Sequence, residues 1–136
     1  MKILIMGLPG SGKTTLANKL AEELRTLGKK VYRLNADNVR HAYNDWDFSI
    51  EGRLRQAQRM FDLSSNLHCD YVICDFVAPL EEMRTIYNAD YTIWMNTIHT
   101  SRFNDTNNIF IPPSKCDLSI SSYQYDINLI TSNIFL

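Results

Sequence analysis

Cysteine is scarce in this chain. Cys69, Cys74 and Cys116 are odd in number and lack the paired spacing of a zinc site or a disulfide framework. They read as reduced thiols, which points to a cytoplasmic protein. His41, His68 and His99 stand apart with no triad or metal spacing between them. No apolar run approaches the ~20 residues that span a bilayer. The N-terminal run Lys2-Ile3-Leu4-Ile5-Met6 is too short for a signal-peptide core, so no membrane partner is expected. The formal net charge is only −1, which gives no global pull towards nucleic acid or acidic lipid and leaves room only for local basic patches. Repeats, low-complexity tracts and linkers are absent. With 136 residues, 45% apolar and 21% charged, the chain reads as one soluble globular domain spanning residues 1–136. A domain of that size buries roughly two-thirds of its unfolded surface.

Glycine is also sparse, and three of the five fall within six positions. Gly7-Leu8-Pro9-Gly10-Ser11-Gly12-Lys13-Thr14 satisfies Gly-x-x-x-x-Gly-Lys-[Ser/Thr] at every fixed position, between an apolar run and a helical pattern. Successive N–H groups of such a loop form an anion cradle, and the following helix adds its positive end. Lys13 is placed to reach β- and γ-phosphates, and the Thr14 hydroxyl to bind Mg²⁺. The loop implies ATP and Mg²⁺ as cofactors, held by Gly7, Pro9, Gly10, Ser11, Gly12, Lys13, Thr14 and Thr15.

Downstream, Leu16, Leu20, Leu24 and Leu27 recur at helical spacing, and Gly28 is a C-terminal stop. Val31–Leu34 reads as a second strand, completing a right-handed βαβ unit with a parallel sheet. A short helix is expected from Ala36 to about Tyr43, then a polar loop over residues 44–48. Ser49 caps a helix running to about Asn66, whose expected core stripe is Leu54, Ala57, Phe61 and Ser64. Arg55 and Arg59 share a different face from Arg53 and Gln56. Tyr71–Asp75 is a third strand, Leu80–Tyr87 a helix after Pro79, and Tyr91–Met95 a fourth strand. Thr97–Pro113 is polar, without a strong period, and long enough to suggest a lid. Residues 117–120 suggest a fifth, edge strand, and Ile127, Ile130 and Ile134 a closing helix. The expected fold class is α/β: a three-layer P-loop NTPase fold of nucleotide-kinase type, with a five-stranded, mostly parallel sheet.

Asp75 ends an apolar strand beside the phosphate loop, where its carboxylate can hold Mg²⁺ through water, orient the nucleophile or, alternatively, cap a turn. Asp37 lies at the C-terminal sheet edge where ligands bind open α/β sheets. It can accept a proton from a substrate hydroxyl or serve as a helix N-cap. Arg40 and Arg53 can bind an anionic acceptor or remain surface charges. Phe48 either stacks on a base or plugs the core edge. Arg102 in the lid can swing onto a transferring phosphoryl group or remain a surface charge.

Gly-Leu-Pro-Gly-Ser-Gly-Lys-Thr-Thr-Leu-Ala, then Leu34-Asn35-Ala36-Asp37-Asn38-Val39-Arg40-His41, Asn44, Phe48-Ser49 and Arg53 together resemble the adenylylsulfate kinases. Phe76-Val77-Ala78-Pro79 is similar to that family's Phe-Ile-Ser-Pro turn, and Arg84 falls where a further Arg follows it. The resemblance runs from Met1 to about Arg84. It implies transfer of the ATP γ-phosphoryl group to the 3′-hydroxyl of adenylylsulfate. Asp37 would be nearest the acceptor hydroxyl, with Arg40, Asn44 and Arg53 on its phosphosulfate. Phe48 would stack on its adenine, and Phe76, Val77 and Ala78 would line the pocket. Departures are specific: Asn35-Ala36 stands for Asp-Gly, Gly52 for an Asp, Gln56 for an Asn and Ala78 for a Ser. Asp75 stands where the family often has a small residue, and the lid is shorter.

Two other readings remain at this level. One keeps the kinase chemistry on another nucleotide, a modified DNA base or a sugar hydroxyl. The other is a nucleotide-dependent switch, disfavoured because the guanine-specific Asn-Lys-x-Asp is absent. The expected partners are ATP and a small anionic nucleotide. Nucleic acid stays open only as an acceptor, and a homodimer also stays open.

Overall fold

The computed structural model describes residues 1–135, so Leu136 lies outside the described residues. Five strands, β1 (Lys2–Met6), β2 (Val31–Asn35), β3 (Tyr71–Asp75), β4 (Tyr91–Met95) and β5 (Leu118–Ile120), form one sheet in the order β2-β3-β1-β4-β5. All four pairings are parallel, so the sheet is wholly parallel and β5 is an edge. The helices are α1 (Lys13–Thr26), α2 (Ala36–Tyr43), α3 (Ile50–Ser65), α4 (Glu81–Tyr87), α5 (Asn104–Ile109) and α6 (Ile127–Phe135).

A parallel sheet must be covered on both faces, and the side-chain alternation divides the core accordingly. Ile3 and Ile5 of β1, Ile73 of β3 and Ile93 of β4 pack with Leu16, Leu20 and Leu24 of α1 and Ile130 and Ile134 of α6. Leu4 and Met6, one residue out of phase, pack with Cys74, Phe76, Val39, Ala57, Met60, Met83 and Tyr87 beneath α2, α3 and α4. Tyr87 is fully buried, and its hydroxyl shares a 2.9 Å hydrogen bond with Ser64 Oγ. Among the described residues no helix is long and apolar enough to cross a membrane.

Two expectations change. The buried face of α3 carries Arg53, Gln56, Ala57, Met60 and Ser64, while Leu54 and Phe61 are half-buried. The inward polar groups have partners, which removes the cost of burying them. Gln56 Nε2 donates to the Ala36 carbonyl at 3.1 Å, and Arg53 reaches across to residues outside its helix. The segment 97–113 is not wholly irregular, because α5 forms within it. A side-chain latch accounts for that turn: Asn107 Oδ1 accepts from the Ser101 N–H at 2.8 Å and hydroxyl at 2.7 Å, while Asn107 Nδ2 donates to the Ser101 carbonyl. Such a latch leaves no hydrophobic period to read.

Candidate active site

The C-terminal ends of β1, β2 and β3 open into one cavity of about 740 Å³. One wall is the phosphate loop, with Pro9, Gly10, Gly12, Lys13, Thr14 and Thr15. Gly7 leaves β1 at φ 152°, and a Cβ there would lie 2.7 Å from the Met95 carbonyl oxygen of the neighbouring strand. A side chain at that position would push the loop off the sheet. Gly12 precedes α1 in a left-handed conformation and supplies no side-chain cap, so the first-turn N–H groups, unpaired within any helix, stay uncapped.

Lys13 Nζ donates to the Leu8 carbonyl at 2.9 Å. Burial pulls its pKa down to about 8, against the opposing attraction of Asp75 and then Asp37. The ammonium is therefore held near the loop, partly stripped of water, where an anion would restore its charge.

Behind the loop, Asp75 is 2% exposed, with partners on both carboxylate oxygens. Its Oδ2 accepts from Thr14 Oγ1 at 2.9 Å and from Asn35 Nδ2 at 2.8 Å, and its Oδ1 pairs with Arg33 Nη2 at 2.6 Å. Arg33 Nη1 in turn contacts Asn18 Oδ1. Asn35 and Asp75 are register partners across β2 and β3, so the backbone itself sets them side by side. Thr14 and Asp75 supply hard oxygen donors at the rim of the triphosphate loop. No group of three or more His, Cys, Asp or Glu able to hold a metal occurs among the described residues. That donor set fits Mg²⁺, which keeps several waters and binds through one or two side chains plus substrate phosphates.

The opposite wall is built by the start of α2, the loop after it, the 76–77 turn and the segment around α5. Asp37, Phe48, Arg53, Phe76, Val77 and Arg102 all line the cavity, together with Trp46, Phe103, Asp105 and Thr106. Asp37 is exposed and does not cap α2. The cap is Asn35, whose side-chain oxygen accepts from the Asn38 N–H at 3.0 Å, so the Asp37 carboxylate faces the cavity uncommitted. Phe48 is 46% exposed at the rim rather than plugging the core, with the Arg40 guanidinium 4.3 Å from its ring centroid and that of Arg53 at 5.4 Å. Trp46 is tilted beside it at 6.5 Å.

The arginines divide sharply. Arg102 is exposed at the mouth, 5.0 Å from the centroid of Phe103. Arg53 Nε donates to the Phe48 carbonyl at 2.8 Å and its Nη2 to Thr106 Oγ1 at 3.2 Å, with Asp105 Oδ2 at 3.5 Å, tying the loop before α3 to α5. Arg40 is 4% exposed and does not reach the cavity wall. Its Nη1 holds the Asp45 and Asp47 carbonyls at 3.0 and 3.2 Å. Burial lowers the pKa of both Arg40 and Arg53. Asn44 caps α2 at φ 50° on the surface, and Ala78 is buried beneath the turn at φ 47°; neither lines the cavity. Gly7 and Ser11 also lie behind the cavity surface. Arg84 binds the Ala78 and Pro79 carbonyls at 2.9 and 3.3 Å and also that of Ile111, so it ties the turn to the segment after α5.

The sequence reading missed Arg33, Trp46 and Phe103. Arg33 carried one signal, a lone cation inside a short strand.

Loop, sheet order and cavity define a phosphate-loop protein with the architecture of small-molecule kinases. The chain belongs to the adenylylsulphate kinase family, whose model matches residues 1–106. It is 33% identical over 121 residues to an adenylyl-sulfate kinase of Bacillus pumilus, covering 87% of this chain and 55% of that protein. A bifunctional enzyme NodQ of Rhizobium tropici is 40% identical over 84 residues, covering 59% of this chain and 13% of that protein. The chain thus spans about half the length, or less, of these curated relatives. The solved Mycobacterium tuberculosis APS kinase CysC, in complex with AMPPNP and APS, shares the fold at TM-score 0.78 and 20% identity, covering 98% of this chain and 94% of that one.

Proposed function

We propose that this chain transfers the γ-phosphoryl group of ATP to the 3′-hydroxyl of adenylylsulfate. The carrying observation is a single cavity with an anion-binding loop on one wall and an uncommitted carboxylate, Asp37, among aromatic side chains on the other. Family membership supports the donor and the acceptor alike.

In this reading the loop amides and Lys13 bind the triphosphate and hold it in line with the acceptor. Thr14 and Asp75 would hold Mg²⁺, which when bound neutralises charge on the β- and γ-phosphates. Asp37 takes the proton of the attacking hydroxyl. Phe48, with Trp46 beside it, seats the acceptor's base by stacking. Arg102, free at the mouth, neutralises charge on the transferring group. Arg53, the buried cation lining that wall, would face the phosphosulfate, with Asp105 3.5 Å from its guanidinium.

The test is incubation with labelled ATP, magnesium and adenylylsulfate, followed by resolution of the 3′-phosphorylated product. Its appearance at a rate dependent on Asp37 is expected. ATP consumption without it would discard this acceptor. For Asp37→Asn we expect unchanged ATP affinity and a kcat lowered by about a hundred-fold or more; equal loss of both would count against its role with the hydroxyl.

A second acceptor class is favoured by one observation. Arg40, which the resemblance would set on the phosphosulfate, spends its guanidinium on loop carbonyls, leaving the wall with less positive charge for a dianion. The same chemistry on another hydroxyl-bearing nucleotide follows, and a panel of nucleotides and oligonucleotides separates the two.

A further inference from the structure

A peptide plane carries its C=O and N–H on opposite sides, so whatever holds the carbonyl also aims the next amide. Three carbonyls of the phosphate loop have dedicated donors. Leu8 O accepts from Lys13 Nζ at 2.9 Å and from the Ser11 N–H at 3.1 Å. Ser11 O accepts from Thr97 Oγ1 at 2.7 Å, and Gly10 O from Tyr123 Oη at 2.8 Å. Thr97 follows β4 and Tyr123 follows β5, so two distant loops reach the first loop of the chain. Tyr123 lies beyond the residues matched by the family model.

The consequences differ by peptide. With Ser11 O drawn towards Thr97, the Gly12 N–H of the same plane is turned the other way. With Gly10 O held by Tyr123, the Ser11 N–H is kept on Leu8 O and the turn stays closed. The Tyr123 ring also lies along Gly12, where an added Cβ would come within 3.2 Å of it. The residue is 55% exposed, so burial alone does not account for its placement. A glycine-rich loop without such restraints would have to be ordered at each binding event, which costs affinity.

We propose that Thr97 and Tyr123 are positioning residues that preorganise the phosphate loop, the Thr97 hydroxyl fixing the peptide plane that aims the Gly12 N–H into the cradle and the Tyr123 hydroxyl holding the preceding turn closed, before the triphosphate arrives. This rests on the reading that the loop grips a triphosphate, and inorganic tripolyphosphate, which carries no base, isolates that part of the site.

Calorimetric titration of wild type, Tyr123→Phe, Thr97→Val and the double variant with tripolyphosphate and with ATP, each with magnesium, is the test. Each single variant should bind both probes about five-fold more weakly, the loss expected for one neutral hydrogen bond. The double variant should lose roughly the product of the two. Thr97→Ser should restore binding, amide exchange at Gly10–Gly12 should quicken in the ligand-free variants, and the unfolding midpoint should barely move. Wild-type affinity for tripolyphosphate in both single variants would overturn the proposal. So would a loss confined to ATP, which would make Tyr123 a contact for the base instead. If wild type bound neither probe, the triphosphate reading itself would fall and take this inference with it.

Discussion

Lys13 is the residue whose state most depends on the ligand. Its pKa is lowered from 10.5 to about 8 by burial, so between those values the unfolded chain binds more protons than the native one. Raising the pH through that window removes the cost of burying the charge, and stability without ligand should therefore increase there. A bound triphosphate holds the ammonium charged. Calorimetry in buffers of different ionisation enthalpy should accordingly detect proton uptake on ATP binding that grows as the pH passes about 8 and vanishes well below it. Lys13→Ala should abolish that uptake and lower turnover about a hundred- to thousand-fold while leaving the fold intact; activity near wild type would remove Lys13 from the mechanism. At the neighbouring position the family pattern has Asp at residue 35 and often a small residue at 75, whereas this chain has Asn35 and Asp75. The two are sheet neighbours 2.8 Å apart through Asn35 Nδ2, so the negative charge has crossed one strand and stays beside Thr14. Arg33 balances it from the far side.

At the scale of elements, the loop between α2 and α3 illustrates how a departure in sequence is absorbed. Arg40 gathers its carbonyls, and Arg55 and Arg59 both bind Asp45, holding its carboxyl well below the usual carboxylate range. Gly52 lets the loop lie against α3: a Cβ there would fall 2.2 Å from the Asp47 carbonyl oxygen and 2.5 Å from Asp47 Cγ. The family's Asp at that position has no room with this loop. Gly52→Ala should lose about 1–3 kcal/mol by overpacking, read as a midpoint lower by roughly 3–10 °C. An unchanged midpoint would mean that the loop yields freely. The 97–113 segment is tied to the same region through Arg53 and Thr106, so the two form one wall of the cavity.

For the molecule as a whole, the cavity sits where three parallel strands end and both cores terminate, so occupancy of the site should stabilise the entire domain. MgATP at a hundred times its Kd contributes about 2.7 kcal/mol, which for a domain of this size raises the unfolding midpoint by roughly 10 °C. Thermal unfolding with and without nucleotide checks this, and a midpoint indifferent to MgATP would contradict a native-state site. Much of this architecture was legible in the chain. β3, β4 and α2 have the bounds that their apolar runs and periods predict, and β3, buried at every position, is written as a nearly continuous hydrophobic run. The phosphate loop was equally plain, since its glycines and Lys13 act through local backbone geometry.

What the sequence determined by itself is whatever adjacent residues decide: the loop, the alternation that splits the core, and the cap at Ser49, whereas at α2 the cap fell to Asn35 and not to Asp37. Long-range polar pairing was decided only by the tertiary structure. The inward turn of Arg40, the Arg33–Asp75 pair and the hydroxyls of Thr97 and Tyr123 on the phosphate loop depend on where a distant carbonyl or carboxylate falls. Hydrophobic burial repeats with the period of its element and can be read along the chain. A hydrogen bond is satisfied by a single atom in the right place, and for residues separated by 86 or 113 positions only the folded sheet brings that atom near.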